Sequence, residues 1–142
     1  MPDFLSNEII MEKNILTGKK VLIVEDDPSS KLYLNKIMER TGAGLLNAGD
    51  GKEAVDLVID NPDIDAVLMD LQLPVMDGYT AAKKIKELRK EIVIIAQTAY
   101  GLFSDQKKIL DSGFDDFIIK PIYSQVLIDK LVSNLFKNQP SV

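Results

Sequence analysis

The sequence predicts an α/β fold, a doubly wound five-stranded parallel sheet with helices on both faces, and three observations point to it. Short apolar runs alternate with stretches of helical apolar spacing along the whole chain. The runs at 21–24, 66–69 and 92–96 are continuously apolar instead of alternating, as in strands covered on both sides. Reactive residue types stand where these runs stop: Glu25-Asp26-Asp27, Asp70, Thr98 and Lys120. In open parallel sheets the C-terminal strand edge is where ligands bind.

Each element has its own local reason. Polar Thr17-Gly18-Lys19-Lys20 leads into a first strand over 21–24. Asp27 as cap and Pro28 at the first helical position start a helix over about 28–41. Leu34, Ile37, Met38 and Thr41 give that helix an inward stripe, and Gly42 stands where a helix-ending glycine belongs. A weaker strand follows over 44–48. Asp50 and Glu53 have the spacing of a capping box and open a helix carrying Ala54, Leu57 and Val58, which Asn61-Pro62 closes.

The strand ending at Asp70 comes next, then a helix over about 78–90 with Ala81, Ala82, Ile85 and Leu88 apolar and its basic residues mostly outward and late. A fourth strand over 92–96 leads to Gln97-Thr98-Ala99. A short helix over about 104–111 stops at Ser112-Gly113. The last strand, 117–119, runs into Lys120-Pro121, and a final helix over 123–137 carries Val126, Leu127, Leu131 and Leu135. Right-handed crossovers then cover both faces of the sheet.

The expected organisation is a leader or linker at 1–18, one domain at 19–137 and a tail at 138–142. Phe4, Leu5, Ile9, Ile15 and Leu16 would line one side of a short leader helix that docks on the domain or a partner, or the segment is a frayed tail or the end of an upstream linker. With 142 residues the chain fills one domain with a real core. It has no cysteine, which excludes disulfide and thiolate chemistry and suits a cytoplasmic setting. It has no histidine either, so it cannot supply a histidine base, ligand or phosphohistidine. A net charge of −5 without a basic block argues against direct nucleic-acid binding. No apolar run reaches the length of a membrane span, and acidic residues stand where a targeting signal wants positive charge.

With the first and third strands adjacent, Glu25, Asp26 and Asp70 converge on one crevice. Three such carboxylates repel unless a divalent cation compensates them, and an all-oxygen donor set suits magnesium. With that repulsion offset, a carboxylate can act as nucleophile toward phosphorus, and Asp70 is best placed to do so. A lysine, a hydroxyl and a metal supply the charge neutralisation that phosphoryl transfer needs, and Lys120 and Thr98 fit the first two roles. Singly, each residue has a plainer use as cap, strand residue or solvated lysine. Together, at successive strand ends, they favour the functional reading.

The motifs VLIVEDDP, VLMDLQLPVMDG, Thr98-Ala99 after an apolar strand and FIIKP at 117–121 resemble those of response-regulator receiver domains of two-component signalling. The resemblance runs from about residue 19 to 137 and implies a flavodoxin-like fold with strand order 2-1-3-4-5. It implies that Asp70 accepts a phosphoryl group from the phosphohistidine of a histidine kinase or histidine phosphotransfer protein. It further implies that Asp26 and Asp70 ligate magnesium directly, Glu25 through water and Gln72 through its backbone carbonyl. Thr98 and Lys120 would then hold the phosphoryl group, and Phe117 would be the switch residue. The face of the fourth helix, fifth strand and fifth helix would signal to a downstream protein, with weak self-association as a further use. Bulky Tyr100, two residues past Thr98, is expected to hinder an attacking water and slow loss of the phosphoryl group.

An aspartate-nucleophile phosphatase is the enzyme alternative, but it would want an acid where Gln72 stands. A flavin module would want a hydroxyl- or glycine-rich loop where Glu25-Asp26-Asp27 stands. A scaffold that is not phosphorylated would not need the acid, threonine and lysine set. The LPVMDGY wording leans toward the receiver of a hybrid sensor kinase.

Overall fold

The computed structural model describes residues 13–99 and 103–137. The expectations for Phe4, Leu5, Ile9, Tyr100 and the 138–142 tail lie outside the described residues. In chain order the elements are β1 (Lys20–Val24), α1 (Pro28–Glu39), β2 (Gly44–Ala48), α2 (Gly51–Asp60), β3 (Ala66–Asp70), α3 (Gly78–Leu88), β4 (Val93–Thr98), α4 (Phe103–Asp111), β5 (Asp116–Ile119) and α5 (Ser124–Leu135). The strands form one parallel sheet in the order β2-β1-β3-β4-β5. This is the doubly wound arrangement, with the order reversing between β1 and β3.

The strand residues alternate between two apolar layers. Leu22, Val24, Val67, Met69, Ile94 and Ala96 pack against Ala54 and Val58 of α2, Ala81 and Ile85 of α3 and Ile109 of α4. Val21, Ile23, Leu68 and Ile95 pack on the other face against Leu34 and Met38 of α1 and Leu127 and Leu131 of α5. Leu16 is fully buried in that second layer, whereas Ile15 is exposed, so these two residues do not share a side. Residues 13–17 form turns, tied to the end of α1 by Leu16 N–H donating to Thr41 O at 2.8 Å.

Caps fix where the helices begin. Asp27 accepts from Ser30 N–H at 2.8 Å, Asp50 from Glu53 N–H at 2.8 Å and Asp77 from Thr80 N–H at 2.9 Å. Glu53 reaches back past the cap residue to accept from Gly49 N–H at 3.1 Å, one residue beyond the N–H that the full capping box binds. Gly42, with φ of +79°, turns the chain out of α1 in a conformation that only glycine adopts cheaply. α1 ends at Glu39 and not at Thr41, because Thr41 N–H and side chain both bond back to Met38 O in a tighter final turn.

Two strands extend beyond their apolar runs. β4 includes Gln97 and Thr98, which pair with Asp70, Ile118 and Ile119, and β5 begins at Asp116, opposite Ile95. Asp116 tolerates its half-buried place because Lys130 Nζ and Asn134 Nδ2 of α5 donate to it at 2.9 and 3.0 Å. Burial works against its charge, and the bonds from Lys130, Phe117 N–H and Asn134 outweigh it and hold the carboxyl below its ordinary range.

Candidate functional site

Because the strands are parallel and in register, the residues at their C-terminal ends meet. Glu25 follows β1, Asp70 ends β3, Thr98 ends β4 and Lys120 follows β5. Lys120 N–H donates to Thr98 O at 2.8 Å, so the β4 to β5 pairing continues one step and holds the lysine at the edge. The Lys120-Pro121 peptide is cis. Tyr33 of α1 steadies the segment that follows, its hydroxyl donating to Ile122 O at 2.5 Å.

Asp70 is 6% exposed at the rim of a cavity of about 240 Å³. One carboxylate oxygen, Oδ1, accepts from Gln72 N–H at 3.0 Å, and Oδ2 faces Lys120 Nζ at 3.2 Å. Gly78 allows this geometry: a Cβ there would strike the Asp70 carbonyl oxygen and lie 2.9 Å from Leu71 Cα. The first turn of α3 can therefore lie directly against the strand end.

Glu25 is the unusual member. Only 2% of it is exposed, its Oε1 accepts from Asp27 N–H at 3.1 Å, and its buried Oε2 has no hydrogen-bond partner. Oε2 lies 3.7 Å from Lys120 Nζ. Burial, with the nearby charge of Asp70, raises the Glu25 carboxyl to about 6, and Asp27 N–H and Lys120 only partly offset this. Glu25, Asp26 and Asp70 each bring a carboxylate oxygen to within 4.8 Å of the others, with Asp26 exposed to solvent. A buried acid oxygen without a donor, beside two further carboxylates, is what an oxygen-preferring divalent cation would satisfy, so this donor set fits magnesium.

Thr98 is 4% exposed and lines the same cavity as Asp70 and Lys120. Phe117 pairs with Ala96, two residues before Thr98, which puts Phe117 and Thr98 on the same face of the sheet as diagonal neighbours. Phe117 is half-buried, with Lys130 Nζ 5.1 Å from its ring centroid. Gln72 is exposed and lines the cavity. Among the described residues, Glu25, Asp26, Asp70, Gln72, Thr98 and Lys120 thus fall at this edge, and Phe117 lies two positions short of it along the sheet.

The cavity also has walls whose residues carry no site motif in the sequence. Tyr79 of α3 and Asp105 and Lys108 of α4 line it, and Gln97 forms part of its floor. Gln97 is fully buried with neither amide atom hydrogen-bonded. Tyr79 directly follows Gly78, and that adjacency was the one signal available for it. The α4 residues reach the site only through the tertiary fold.

A family model described as the response regulator receiver domain matches residues 21–132. Hybrid signal transduction histidine kinase I of Dictyostelium discoideum is 32% identical over 127 residues, which are 84% of this chain and 7% of that protein. The transcriptional regulatory protein TcrA of Mycobacterium tuberculosis is 31% identical over 116 residues, 82% of this chain and 46% of that protein. The chain thus spans less than half the length of these curated relatives. Among solved structures, the CheX-CheY-BeF3-Mg complex of Borrelia burgdorferi is matched with a TM-score of 0.78 and 32% identity, covering 82% of this chain and 89% of that one. The complex of the phosphotransfer protein Ypd1 with the receiver domain of Ssk1 from Saccharomyces cerevisiae gives 0.78 and 30%, covering 82% and 88%.

Proposed function

This chain belongs to the response regulator receiver family, and on that premise we propose that Asp70 accepts a phosphoryl group from a phosphohistidine on a histidine kinase or histidine phosphotransfer protein. The observation that carries the reading is the meeting of Asp70 with Lys120 at 3.2 Å, beside Thr98 and within the Glu25, Asp26 and Asp70 cluster. The names of the relatives support the partner class: hybrid histidine kinases on one side, a receiver in complex with a phosphotransfer protein on the other.

In the transfer, an Asp70 carboxylate oxygen forms a bond to phosphorus while the donor's nitrogen–phosphorus bond breaks and its electron pair stays on the imidazole. Lys120 offsets charge on the phosphoryl oxygens and the Thr98 hydroxyl donates to one of them. The residues that would hold magnesium are Asp26 and Asp70 directly, Glu25 through water and Gln72 through its backbone carbonyl. Bound there, the ion supplies the positive charge that lets an anionic donor approach this acidic edge.

The new dianion then biases two arrangements. Thr98 drawn toward the phosphoryl group vacates space on its face of the sheet, and Phe117 fills it. The surface of α4, β5 and α5 follows, and there Ile119, Tyr123 and Val126 are exposed apolar residues suited to a downstream protein or to weak self-association. The chain is then a cytoplasmic signalling component and not a turnover enzyme, though it assists its own phosphorylation at Asp70. The kinship with hybrid kinases supports a place in a multistep relay. The test is transfer of label from a phosphohistidine-bearing phosphotransfer protein. Label that appears on the parent, is released by hydroxylamine and is absent from Asp70→Asn supports the reading, and label retained by that variant refutes it.

A further inference from the structure

We infer that Lys108 is a second cationic contact, beside Lys120, for the phosphoryl group of a small acyl phosphate entering the Asp70 cavity. The inference rests on the proposed role of Asp70 and extends it to a donor class and a residue.

Two cations line the cavity among the described residues, Lys120 just past β5 and Lys108 on α4. Lys108 differs from the chain's paired lysines. Lys20, Lys52, Lys86 and Lys130 each face an aspartate at 3.0 Å or less. Lys108 instead places its ammonium 4.6 Å from the ring centroid of Tyr79 and makes no ion pair with a described carboxylate. The ring is itself held, edge-on to Phe114 at 5.8 Å and an interplanar angle of 88°. A cation over an aromatic face is localised without having its charge cancelled. The result is an exposed, positioned positive charge lining an acidic pocket.

That charge has a use. Glu25, Asp26 and Asp70 repel an incoming dianion, and Lys120 is already engaged with two of them. An acyl phosphate must bring its phosphoryl oxygens into this cavity before Asp70 can bond to phosphorus. In that step the bridging phosphorus–oxygen bond breaks and acetate, in the case of acetyl phosphate, leaves with the electron pair. Lys108 draws those oxygens in, whereas Asp105, which lines the same cavity from one turn earlier on α4, opposes them. Lys108→Ala and Asp105→Asn should therefore act with opposite sign.

The experiment measures the second-order rate of phosphorylation by acetyl phosphate with magnesium, by intact mass, at low and high salt. At ionic strength near 0.05 M, Lys108→Ala should be about threefold to tenfold slower than the parent, Lys108→Arg close to the parent and Asp105→Asn faster, and the differences should fall below about twofold near 0.5 M. Equal rates for Lys108→Ala and the parent at low salt overturn the inference. So does a loss of the same size at both salts, which marks a structural effect. If the parent gains no phosphoryl group at all, or Asp70→Asn gains one equally, the underlying reading fails along with it. Phosphorylation confined to Asp70 with no Lys108 effect sinks the inference alone.

Discussion

Asp65, Asp115 and Asp116 at the N-terminal edge of the sheet are held very differently from Glu25 and Asp70 at its C-terminal edge. Asp65 accepts from Lys20 N–H at 2.9 Å, and Asp115 accepts from Lys86 Nζ and Ile94 N–H, both at 2.8 Å. Asp116 accepts from Lys130, Asn134 and its neighbour's N–H. At the other edge Glu25 keeps a buried oxygen without a donor, and one lysine serves two acids at 3.2 and 3.7 Å. The same residue types therefore knit the structure at one end and leave an electrostatic deficit at the other. A deficit of that kind costs stability and is useful where a cation and a phosphoryl group are to be bound.

The contrast is broken or sharpened by altering one edge at a time. The largest effect is expected at the structural edge. Asp115→Ala strips Lys86 of its counter-charge and Ile94 N–H of its acceptor, and should cost about 3 kcal/mol in urea unfolding while Asp70 remains reactive. A loss below about 1 kcal/mol would mean that this edge is not the stronger one.

Next in size is the response to metal. Magnesium at roughly 100 times its dissociation constant should stabilise the parent by about 2.7 kcal/mol. Asp115→Ala should gain the same increment from its lower baseline, and Asp70→Asn clearly less. An unchanged increment in Asp70→Asn would detach the ion from this edge.

Smallest, and most specific in sign, is the dependence on pH. The Glu25 carboxyl is raised from 4.5 to about 6 in the folded chain. Its contribution is then fully present below about 4.5 and lost as pH rises through about 6, a difference of roughly 2 kcal/mol. The metal-free parent should become more stable on this account between pH 7 and pH 5, and Glu25→Gln should flatten that rise. Asp116, held below its ordinary 3.8, acts in the opposite sense and in a separate window. Its contribution is present above that value and lost as pH falls through the lower folded one. A Glu25→Gln variant with the parent's slope between pH 5 and pH 7 would show that the deficit lies elsewhere.

The two edges were not equally legible in the sequence. Apolar runs and helix caps announce strands and helices, so the element order, the caps at Asp27 and Asp50 and the strand-end set of Glu25, Asp26, Asp70, Thr98 and Lys120 are legible in the sequence alone. At a few positions polarity and pairing part company. Gln97 and Thr98 interrupt the apolar run yet complete the β4 ladder, and Asp116 opens β5 only because α5 supplies Lys130 and Asn134 from far along the chain. The clamp of Asp115 on Lys86 joins residues 29 apart and leaves no local pattern. Tyr79, Asp105 and Lys108 likewise meet the site only when α3 and α4 pack above it.

The central claim is that the unsatisfied edge is a phosphoryl acceptor and that Asp70 is the atom source. Its most direct test is intact mass after incubation with acetyl phosphate, with and without magnesium, for the parent and Asp70→Asn. The account predicts the gain of one phosphoryl group by the parent only, and only with metal. A folded, magnesium-binding parent that gains none, or an Asp70→Asn variant that gains as much, would contradict it.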